Sequence, residues 1–409
     1  MQRIRQRWPL LLGGFFALSF LFYQVPWVNL RVNWQLDVAE TFVRTRLNPA
    51  GPLPPPQIVS SEAASAVAAG PTPLLPTATA QVTVPPLPAT VQLSPAAHEV
   101  QGPNNCGPAT LAMYLRYYGW EGDQYDISDE IKPVDRDRNV NVDELVYYSS
   151  NWAGWLRSIF RVGGTTEMIR HLVAAGVPVM VEKGHLIEIE YFPNDDYWNG
   201  HYALVTGYDD AAGEFTFQDS FTGPDQQVSY AEFDAWWQQF NRVYILEYLP
   251  EQEETVKQIL GDNWDEEANR QNALVVSQAE VQADPENAYA WFNLGMNQVY
   301  FGEYGPAADS FDEARRVGLP MRMLRYQFGP FWAYYHTNRL EDLQQMIDYA
   351  LLITPTSEDV LLWNGWAFYK AGDLNGAIEQ FRLAYEHNPK SIYVEQAHVG
   401  VLPGHKIAE

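Results

Sequence analysis

The sequence of 409 residues contains a single cysteine, Cys106. One thiol cannot form an intramolecular disulfide, and a cysteine-rich zinc site needs several. Cys106 also lies too far from the N-terminus to be a lipoprotein anchor. Any thiol chemistry in this chain therefore depends on Cys106 alone.

Basic residues are scarce as well. Lysine and arginine number 26 against 51 acidic residues, so the formal net charge is −25 and the pI is near 4.6. Binding to phosphate backbones requires a clustered basic surface, so we expect no nucleic-acid partner. Residues 1–47 contain six arginines and two acidic residues, and residues 48–97 contain a single charged residue, Glu62. The acidity therefore belongs to the C-terminal three quarters of the chain.

Charged residues are absent from Trp8 to Tyr23, a stretch rich in leucine and phenylalanine. A membrane-spanning helix needs a stretch of about this length, roughly 20 residues. Arginines precede it at positions 3, 5 and 7, so the positive-inside rule predicts a cytoplasmic N-terminus and extracytoplasmic domains. We expect residues 1–28 to be an uncleaved signal anchor of a single-pass cell-membrane protein. The alternative is secretion after signal cleavage, although no small-x-small site follows the apolar run.

A segment with little charge or periodicity follows the predicted anchor. Residues 29–47 are interpreted as a juxtamembrane segment. Residues 48–97 contain twelve of the 28 prolines and are rich in alanine, threonine, valine and leucine. This composition favours extended, polyproline-like conformations. We therefore interpret residues 48–97 as a disordered linker that acts as a passive spacer.

Prolines recur regularly beyond residue 250. Pro285, Pro320, Pro355 and Pro389 are 35, 35 and 34 residues apart, and each ends a helical pattern. A period of this length indicates an internal repeat of paired helices. Two kinds of residue recur in the same register between these prolines. Small residues would let the helices approach, and aromatic or other apolar residues would fill the gap between them. The positions are Trp291, Leu294, Gly295, Ala307, Phe311, Ala314, Gly365, Phe368, Gly372, Ala377, Phe381 and Ala384.

These positions resemble tetratricopeptide repeats, which are helix-turn-helix units of about 34 residues. The middle copy has Phe331 where the family prefers glycine and Leu343 where it prefers alanine, while Tyr334 keeps its register. Three copies are the minimum for a stable stack, and residues 265–283 would supply a capping helix. The resemblance implies an all-α repeat domain over residues 265–400 with a groove for a protein partner.

Cys106 stands at the start of a helical pattern. Leu111, Leu115 and Tyr118 recur at helical spacing, and the two asparagines before Cys106 are suited to cap the helix. The positive end of a helix lowers the pKa of a cysteine and favours the nucleophilic thiolate, and its N–H groups can stabilise an oxyanion. Free cysteines are more often small buried apolar residues. The polar sequence Asn-Asn-Cys-Gly-Pro argues against that alternative.

A thiolate nucleophile needs a base, and His201 differs from the other histidines in opening an apolar, β-branched run that is typical of a strand. A short turn follows this run, and residues Glu214 to Asp219 then form the predicted returning strand of a hairpin. Asp219 would lie one strand away from His201 and could orient its imidazole. A histidine that begins a strand is often structural. The ordered set of Cys106, His201 and Asp219 nevertheless favours a catalytic triad.

Four motifs in one domain-sized segment resemble those of the C39-like cysteine peptidases, relatives of bacteriocin-leader-processing and papain-like enzymes. They are Gln101, Asn-Cys106-Gly-Pro-Ala, Gly200-His201-Tyr and Asp219. The likeness covers about residues 98–250 and implies an α+β papain-like domain. Gln101 precedes the cysteine by five residues, where papain-like relatives commonly have six.

The resemblance implies a role for each of these residues. Cys106 would be the nucleophile, His201 the general base and acid, and Asp219 the residue that orients the imidazole. Gln101 would donate a side-chain hydrogen bond to the oxyanion. The implied reaction is hydrolysis of a peptide or protein substrate through an acyl-enzyme. Transfer of the acyl group to an amine would pass through the same intermediate.

The sequence thus predicts a membrane-anchored, extracytoplasmic cysteine peptidase whose repeats recruit a substrate or partner. The alternative is a catalytically inert peptidase-like binding module in which the repeat scaffold does the binding. No cofactor is predicted. Residues 135–143 alternate oxygen-bearing side chains, but Val140 and Val146 stand at the glycine and glutamate positions of a calcium loop. We expect a helix with a capping box at Asn141 and Glu144 there, and not a metal site.

Overall fold

The computed structural model describes residues 18–48, 87–94, 96–134, 139–188 and 195–393. These residues form an α+β unit followed by a helical C-terminal region. The helices are α1 (Pro26–Leu47), α2 (Cys106–Tyr117), α3 (Gln124–Ile131), α4 (Val142–Trp152), α5 (Thr166–Ala174), α6 (Tyr230–Gln238), α7 (Glu253–Leu260), α8 (Glu266–Ala283), α9 (Ala288–Tyr300), α10 (Tyr304–Val317), α11 (Gly329–His336), α12 (Leu340–Ile353), α13 (Glu358–Lys370) and α14 (Leu374–His387). The strands are β1 (Thr90–Gln92), β2 (Arg157–Arg161), β3 (Val179–Leu186), β4 (Trp198–Asp209), β5 (Glu214–Asp219), β6 (Gly223–Ser229) and β7 (Tyr244–Tyr248).

An antiparallel sheet forms the centre of the α+β unit. Its strand order is β2-β7-β3-β4-β5-β6, and β1 pairs with β4. The predicted hairpin is formed by β4 and β5, with a register shift between Val205 and Gly207. Lys183 of β3 lies opposite His201 of β4. Because β3 and β4 are buried along almost their whole length, their apolar runs fix this register.

Helix α2 packs against this sheet and carries Cys106 at its first position. Its residues from Gly107 to Leu115 are buried and form a core with α3, α4 and the facing strands. The start of α4 follows the predicted capping box, since the Asn141 N–H donates to Glu144 Oε2 at 2.8 Å. Burial of α2 against the sheet holds Cys106 at the edge of the core.

The helices beyond residue 287 form three consecutive pairs in the described part of the chain. They are α9 with α10, α11 with α12, and α13 with α14, and each pair packs against the next. A Cβ atom at Gly295 would lie 2.6 Å from the ring of Phe311, and one at Gly365 would lie 2.5 Å from the ring of Phe381. Glycines therefore allow the closest approach, and aromatic rings fill the gap. Helix α8 packs on α9 where a capping helix was predicted.

The middle pair differs from its neighbours. In the first and third pairs the first helix begins three residues after the repeat proline, Pro285 or Pro355. After Pro320, residues Met321–Arg325 form a 3₁₀ turn, and α11 begins only at Gly329. This turn contacts β4 of the α+β unit. The irregular copy of the repeat therefore makes the contact with the strand that carries His201.

The α+β unit and the helical region share a hydrophobic core. Trp198, Phe240 and Val243 of the α+β unit belong to one apolar cluster with residues of α8 to α13. Near the end of the helical region, Asn388 Nδ2 donates to the carbonyl oxygen of Ile131 at 2.9 Å. The helical region is therefore bound to the α+β unit at both of its ends.

Helix α1 covers the whole segment predicted to be juxtamembrane, residues 29–47. It packs against α12, and Arg44 Nε donates to the carbonyl oxygen of Leu352 at 3.1 Å. In the part of the chain that the structure describes, every helix is too short or too polar to cross a membrane. Residues 1–17 of the predicted anchor lie outside that part.

The predicted linker is shorter than residues 48–97. Strand β1 lies within this range and pairs with β4, so the folded part begins before residue 98. Residues 49–86 lie outside the described residues. Because α1 packs against α12, the connection joins two parts of one folded body and does not hold the body away from α1.

Candidate active site

The turn before Cys106 is held by contacts that differ from the predicted cap. Asn105 occupies the cap position but makes no side-chain cap, since its Nδ2 donates to Gln124 Oε1 at 3.0 Å. Asn104 has a positive φ of 53°, which asparagine tolerates. Lys132 Nζ donates to the Asn104 carbonyl oxygen at 2.8 Å. The Asn105 side chain thus accepts no hydrogen bond from the first N–H groups of α2. These N–H groups remain available to a substrate oxygen.

Gln124 fixes the loop that leads to the nucleophile. Its Oε1 accepts a hydrogen bond from the Gly102 N–H at 2.6 Å, and its Nε2 donates to Glu99 Oε1 and to the Val100 carbonyl oxygen, both at 2.9 Å. Together with the contact from Asn105, one buried amide therefore holds four points of the loop. Sequence analysis missed Gln124, because its partners are 19 to 25 residues away and no local pattern links them.

His201 and Asp219 lie side by side in the sheet. His201 Nε2 is 2.9 Å from Asp219 Oδ1, and both side chains are buried. Asp219 Oδ1 also accepts hydrogen bonds from the N–H groups of Phe221 and Thr222, at 2.8 and 3.0 Å. Because Nε2 faces the carboxylate, Nδ1 is the ring nitrogen left to face the thiol. The carboxylate thus orients the imidazole as a triad requires.

The Cys106 thiol and the His201 imidazole interact, and this interaction shifts the pKa of both groups. Burial opposes ionisation of the thiol, but the hydrogen bond to His201 and the positive charge of its ring outweigh burial and lower the pKa of Cys106 below its ordinary value. Burial also opposes protonation of His201, while hydrogen bonds to Asp219 and Cys106 raise the pKa of His201 to about 8. The arrangement therefore stabilises a thiolate–imidazolium pair.

Asp219 remains ionised in this arrangement. Burial disfavours its charged form, but the hydrogen bond and positive charge of His201, the Thr222 N–H and the nearby Lys183 lower its pKa well below the ordinary value. A permanent negative charge beside the imidazole explains why the pKa of His201 is raised although the ring is buried.

Gln101 lies beside the nucleophile with its amide held in one orientation. Its backbone N–H donates to the Ser220 carbonyl oxygen at 2.9 Å, and the Ser220 hydroxyl donates to Gln101 Oε1 at 2.8 Å. Since Ser220 engages the amide oxygen, the Nε2 amide is the donor left for an oxyanion. Gln101 and Cys106 both line one cavity. The spacing of five residues between them, one fewer than in papain-like relatives, therefore still places both at the same site.

This cavity has a volume of about 860 Å³ and is bounded by distant parts of the chain. The loop before Cys106 and the strands β3 and β4 form one part of its wall. Helix α1 and the 3₁₀ turn of the middle helix pair contribute the following residues: Leu30, Arg31, Trp34, Gln35, Arg322, Arg325 and Tyr326. The sequence placed the candidate catalytic residues within residues 98–250 and gave no sign of these more distant contributions, because the docking of α1 and of the repeats is a tertiary event.

Tyr326 holds the helical region against the catalytic strand. Its hydroxyl donates to Asn199 Oδ1, and its ring packs so close to Gly200 that a Cβ atom there would lie 3.0 Å from Tyr326 Cε1. The space beside Gly200 is therefore occupied by an aromatic ring of the helical region.

Glu182 contributes the carboxyl group of the cavity wall within the described residues. It is 7% exposed and lies opposite Tyr202 in the β3–β4 pair. Burial, together with the negative charge of the Cys106 thiolate, raises the pKa of Glu182 well above its ordinary value. The cavity wall therefore disfavours the charged form of Glu182 beside the thiolate.

A second histidine, His185, lies near the triad. Its ring centroid is 5.5 Å from that of His201. Burial and the positive charge of His201 lower the pKa of His185 to about 4, so it is neutral when His201 is protonated. In the described part of the chain, no group of histidine, cysteine, aspartate and glutamate could hold a metal ion.

Residues 85–245 match the model of the Peptidase_C39 like family. The resemblance stated from the motifs is confirmed at this level. No tetratricopeptide family is identified over the helical region. No curated protein matches the chain.

Two solved structures show similarity over the same share of the chain. One, from Bacillus anthracis, is described as a C39-like peptidase; it is 21% identical, with a TM-score of 0.32, and covers 39% of this chain and 97% of its own. The other is a double-glycine-motif protease from an AMS/PCAT transporter, in complex with the leader peptide. It is 15% identical, with a TM-score of 0.28, and covers 39% of this chain and 94% of its own.

Proposed function

We propose that the protein is a cysteine peptidase that cleaves an amide bond of a peptide or protein through Cys106. The observation that carries this proposal is the continuous set of contacts from the Cys106 thiol through His201 to Asp219 at the wall of a large cavity. Membership of residues 85–245 in the C39-like peptidase family supports the same reaction class.

Acylation begins with attack of the Cys106 thiolate on the carbonyl carbon of the scissile amide. The electron pair of the carbonyl bond moves to its oxygen, which the Gln101 Nε2 amide and the first N–H groups of α2 stabilise. The intermediate then expels the amine, which takes a proton from His201. A thioester on Cys106 and a neutral imidazole remain.

Deacylation uses the neutral imidazole as a base. His201 takes a proton from water, and the resulting hydroxide attacks the thioester carbonyl. Collapse releases the carboxylic acid product and returns the thiolate–imidazolium pair. Attack by an amine instead of water would produce a new amide from the same thioester, so product analysis separates hydrolase from transferase.

Incubation with a proteome-derived peptide mixture, followed by mass spectrometry, tests the activity. The wild-type chain should produce new peptide termini, whereas Cys106→Ala and His201→Gln should lose them. His171→Gln is the matched control, because His171 lies on α5 and does not line the cavity. Turnover that persists in Cys106→Ala would contradict catalysis through Cys106. Complete absence of turnover in the folded wild-type chain would favour the inert binding module.

We also propose that the helical region is a tetratricopeptide-type stack that holds a protein partner or part of the substrate. The 34- to 35-residue proline period and the three consecutive helix pairs support this reading. Co-purification with and without residues 265–409 would test it, since a partner bound by the stack should be retained only by the complete chain.

The proposed location is the cell membrane, with residues 1–28 as a single-pass anchor, a cytoplasmic N-terminus and extracytoplasmic domains. The uncharged run from Trp8 to Tyr23 after three arginines supports it. Alkaline extraction of membranes should leave the full chain in the membrane and release a chain lacking residues 1–28. Recovery of the full chain in the medium with a processed N-terminus would support the alternative, secretion after cleavage.

A further inference from the structure

Two arginines reach the catalytic cavity from the 3₁₀ turn of the middle helix pair, and they differ in their partners. Carboxylates balance the charge of Arg322. Its guanidinium contacts Asp195 and lies 3.5 Å from Asp196. The backbone N–H of Arg322 donates to Asp196 Oδ2 at 2.9 Å. Asp195 is itself buried. Arg322 therefore joins the repeats to the segment that leads into β4, and its charge is neutralised there.

Arg325 has no such partner within the described residues. Its Nε is buried without a hydrogen-bond acceptor, and its guanidinium carbon lies 5.4 Å from the ring centroid of Tyr326. Burial and the neighbouring charge of Arg322 lower the pKa of Arg325, although Tyr326 and the negative charges of Asp195 and Asp196 act in the opposite direction. A partly buried arginine that no carboxylate contacts directly favours binding of an external anion.

The rest of the cavity wall increases this preference. Arg31 of α1 is a third arginine in the wall, where Glu182 is the one acidic side chain among the described lining residues. Burial also disfavours the charged form of Glu182. The thiolate of Cys106 is balanced by the imidazolium of His201. A chain of net charge −25 thus has a catalytic cavity whose described wall is positively charged.

We propose that Arg325 is a specificity-determining residue that binds a carboxylate of the peptide substrate in the catalytic cavity. The inference rests on the proposed peptidase function and deepens it. A guanidinium offers a planar pair of donors that matches a carboxylate, and Tyr326 supports the guanidinium from one side. The carboxylate is either an acidic side chain of the substrate or its free C-terminus.

Alkylation of the single cysteine tests the proposal without a known substrate. Iodoacetate and iodoacetamide differ in one carboxylate, and the ratio of their rates at Cys106 measures the attraction for an anion. This ratio should fall about tenfold in Arg325→Gln, the range expected for loss of one charged hydrogen bond. Arg325→Lys keeps the charge without the planar donors and should show a smaller fall.

The matched control is Arg316→Gln, which removes an exposed arginine of α10 that does not line the cavity. Its rate ratio should equal that of the wild-type chain. An equal ratio in Arg325→Gln and the wild-type chain would overturn the proposal. Failure of the peptidase function shows itself separately, as an iodoacetamide rate that does not respond to His201→Gln.

Two isomeric reagents distinguish the sources of the carboxylate. N-iodoacetyl-glutamine carries a terminal carboxylate, and N-iodoacetyl-glutamic acid α-amide carries a side-chain carboxylate of equal charge. The isomer whose rate falls more in Arg325→Gln identifies the source that the site prefers. An unchanged rate for both isomers would contradict carboxylate binding by Arg325.

Thermal unfolding separates substrate recognition from a structural role. Arg325→Met removes a cation without a carboxylate partner and should leave the melting temperature unchanged or raise it. Arg322→Met leaves Asp195 buried without its ion-pair partner and should lower the melting temperature. An equal decrease in both variants would assign Arg325 a structural role and count against the proposal.

Discussion

At Cys106, burial and hydrogen bonding act in opposite directions on the thiol pKa. Burial alone would keep the thiol neutral, as it does for most free cysteines. The positive charge of His201 reverses this, and Asp219 maintains that charge because it remains ionised beside the ring. His201 and Asp219 together thus lower the pKa of the Cys106 thiol. Substitution of either residue should raise that pKa measurably.

Asp219→Asn should lower the pKa of His201, because it removes the negative charge that holds the ring protonated. Catalysis needs the imidazolium to protonate the leaving amine, so wild-type activity should fall as the pH rises through about 8, the pKa of His201. In the variant this alkaline limb should move to lower pH, and kcat/KM should fall by a factor on the order of 10² to 10⁴. A pH profile of kcat/KM measures both effects.

The acid limb of the same profile gives a second test of this prediction. It reports ionisation of the Cys106 thiol, whose pKa is lowered by His201. The acid limb should therefore move to higher pH when the imidazolium is lost. An alkaline limb at the same pH in both proteins would show that Asp219 does not set the protonation of His201.

At the scale of elements, the middle helix pair combines two functions. Its irregular start departs from the repeat pattern, yet the same residues form the 3₁₀ turn that reaches the cavity and contacts β4. The neighbouring pairs keep regular packing, in which a glycine of one helix receives an aromatic ring from its partner. The first and third helix pairs thus keep the regular packing of the stack, and the middle pair contributes residues to the candidate active site.

Gly365→Ala should destabilise the helical region by about 1 to 3 kcal/mol, because its Cβ would lie 2.5 Å from the ring of Phe381. Urea denaturation followed by circular dichroism measures the loss. Gly305→Ala is the control: it also lies in a helix of the repeats, but a Cβ atom there meets nothing within 4 Å. That variant should keep the stability or gain up to about 1 kcal/mol. Equal losses in both would contradict the packing.

At the scale of the whole molecule, the α+β unit and the helical region behave as one body. Trp198 of β4 and Phe240 after α6 are buried in the same apolar cluster as the helices of the repeats. Helix α1 joins this body through α12 and closes one side of the cavity. Substrate in the cavity would therefore touch three parts of the chain that are distant in sequence.

Removal of the helical region should therefore expose apolar surface on the α+β unit. We expect the complete chain to unfold in one transition, with tryptophan fluorescence and circular dichroism coinciding. A chain ending at residue 264 should unfold at lower denaturant concentration, since Trp198, Phe240 and Val243 lose their partners. Two separate transitions in the complete chain, with the first leaving the α+β unit intact, would contradict a shared core.

Local patterns in the sequence were sufficient for much of the fold and for the core of the site. The helix after Cys106, the hairpin from His201 to Asp219 and the paired helices between prolines each follow from periodicity and turn residues over short distances. The cavity wall could not be predicted in this way. Arg325 and Arg31 reach the cavity because separate elements dock against the sheet, and Gln124 acts through partners that share no local pattern with it.

The juxtamembrane and linker predictions show the same limit. Composition identified a proline-rich segment, but only strand pairing shows that β1 already belongs to the fold. The packing of α1 against α12 depends on contacts such as Arg44 with the Leu352 carbonyl oxygen, about 300 residues away. Contacts at that separation leave no periodic signal in a single sequence.

The most direct test of the catalytic triad is the rate of Cys106 alkylation by iodoacetamide between about pH 4 and about pH 10, in the wild-type chain and in His201→Gln. The contacts of Cys106 with His201 predict an inflection below the ordinary thiol pKa of about 8.5, which moves to higher pH in the variant. An unreactive thiol, or the same profile in both proteins, would contradict an activated nucleophile at Cys106.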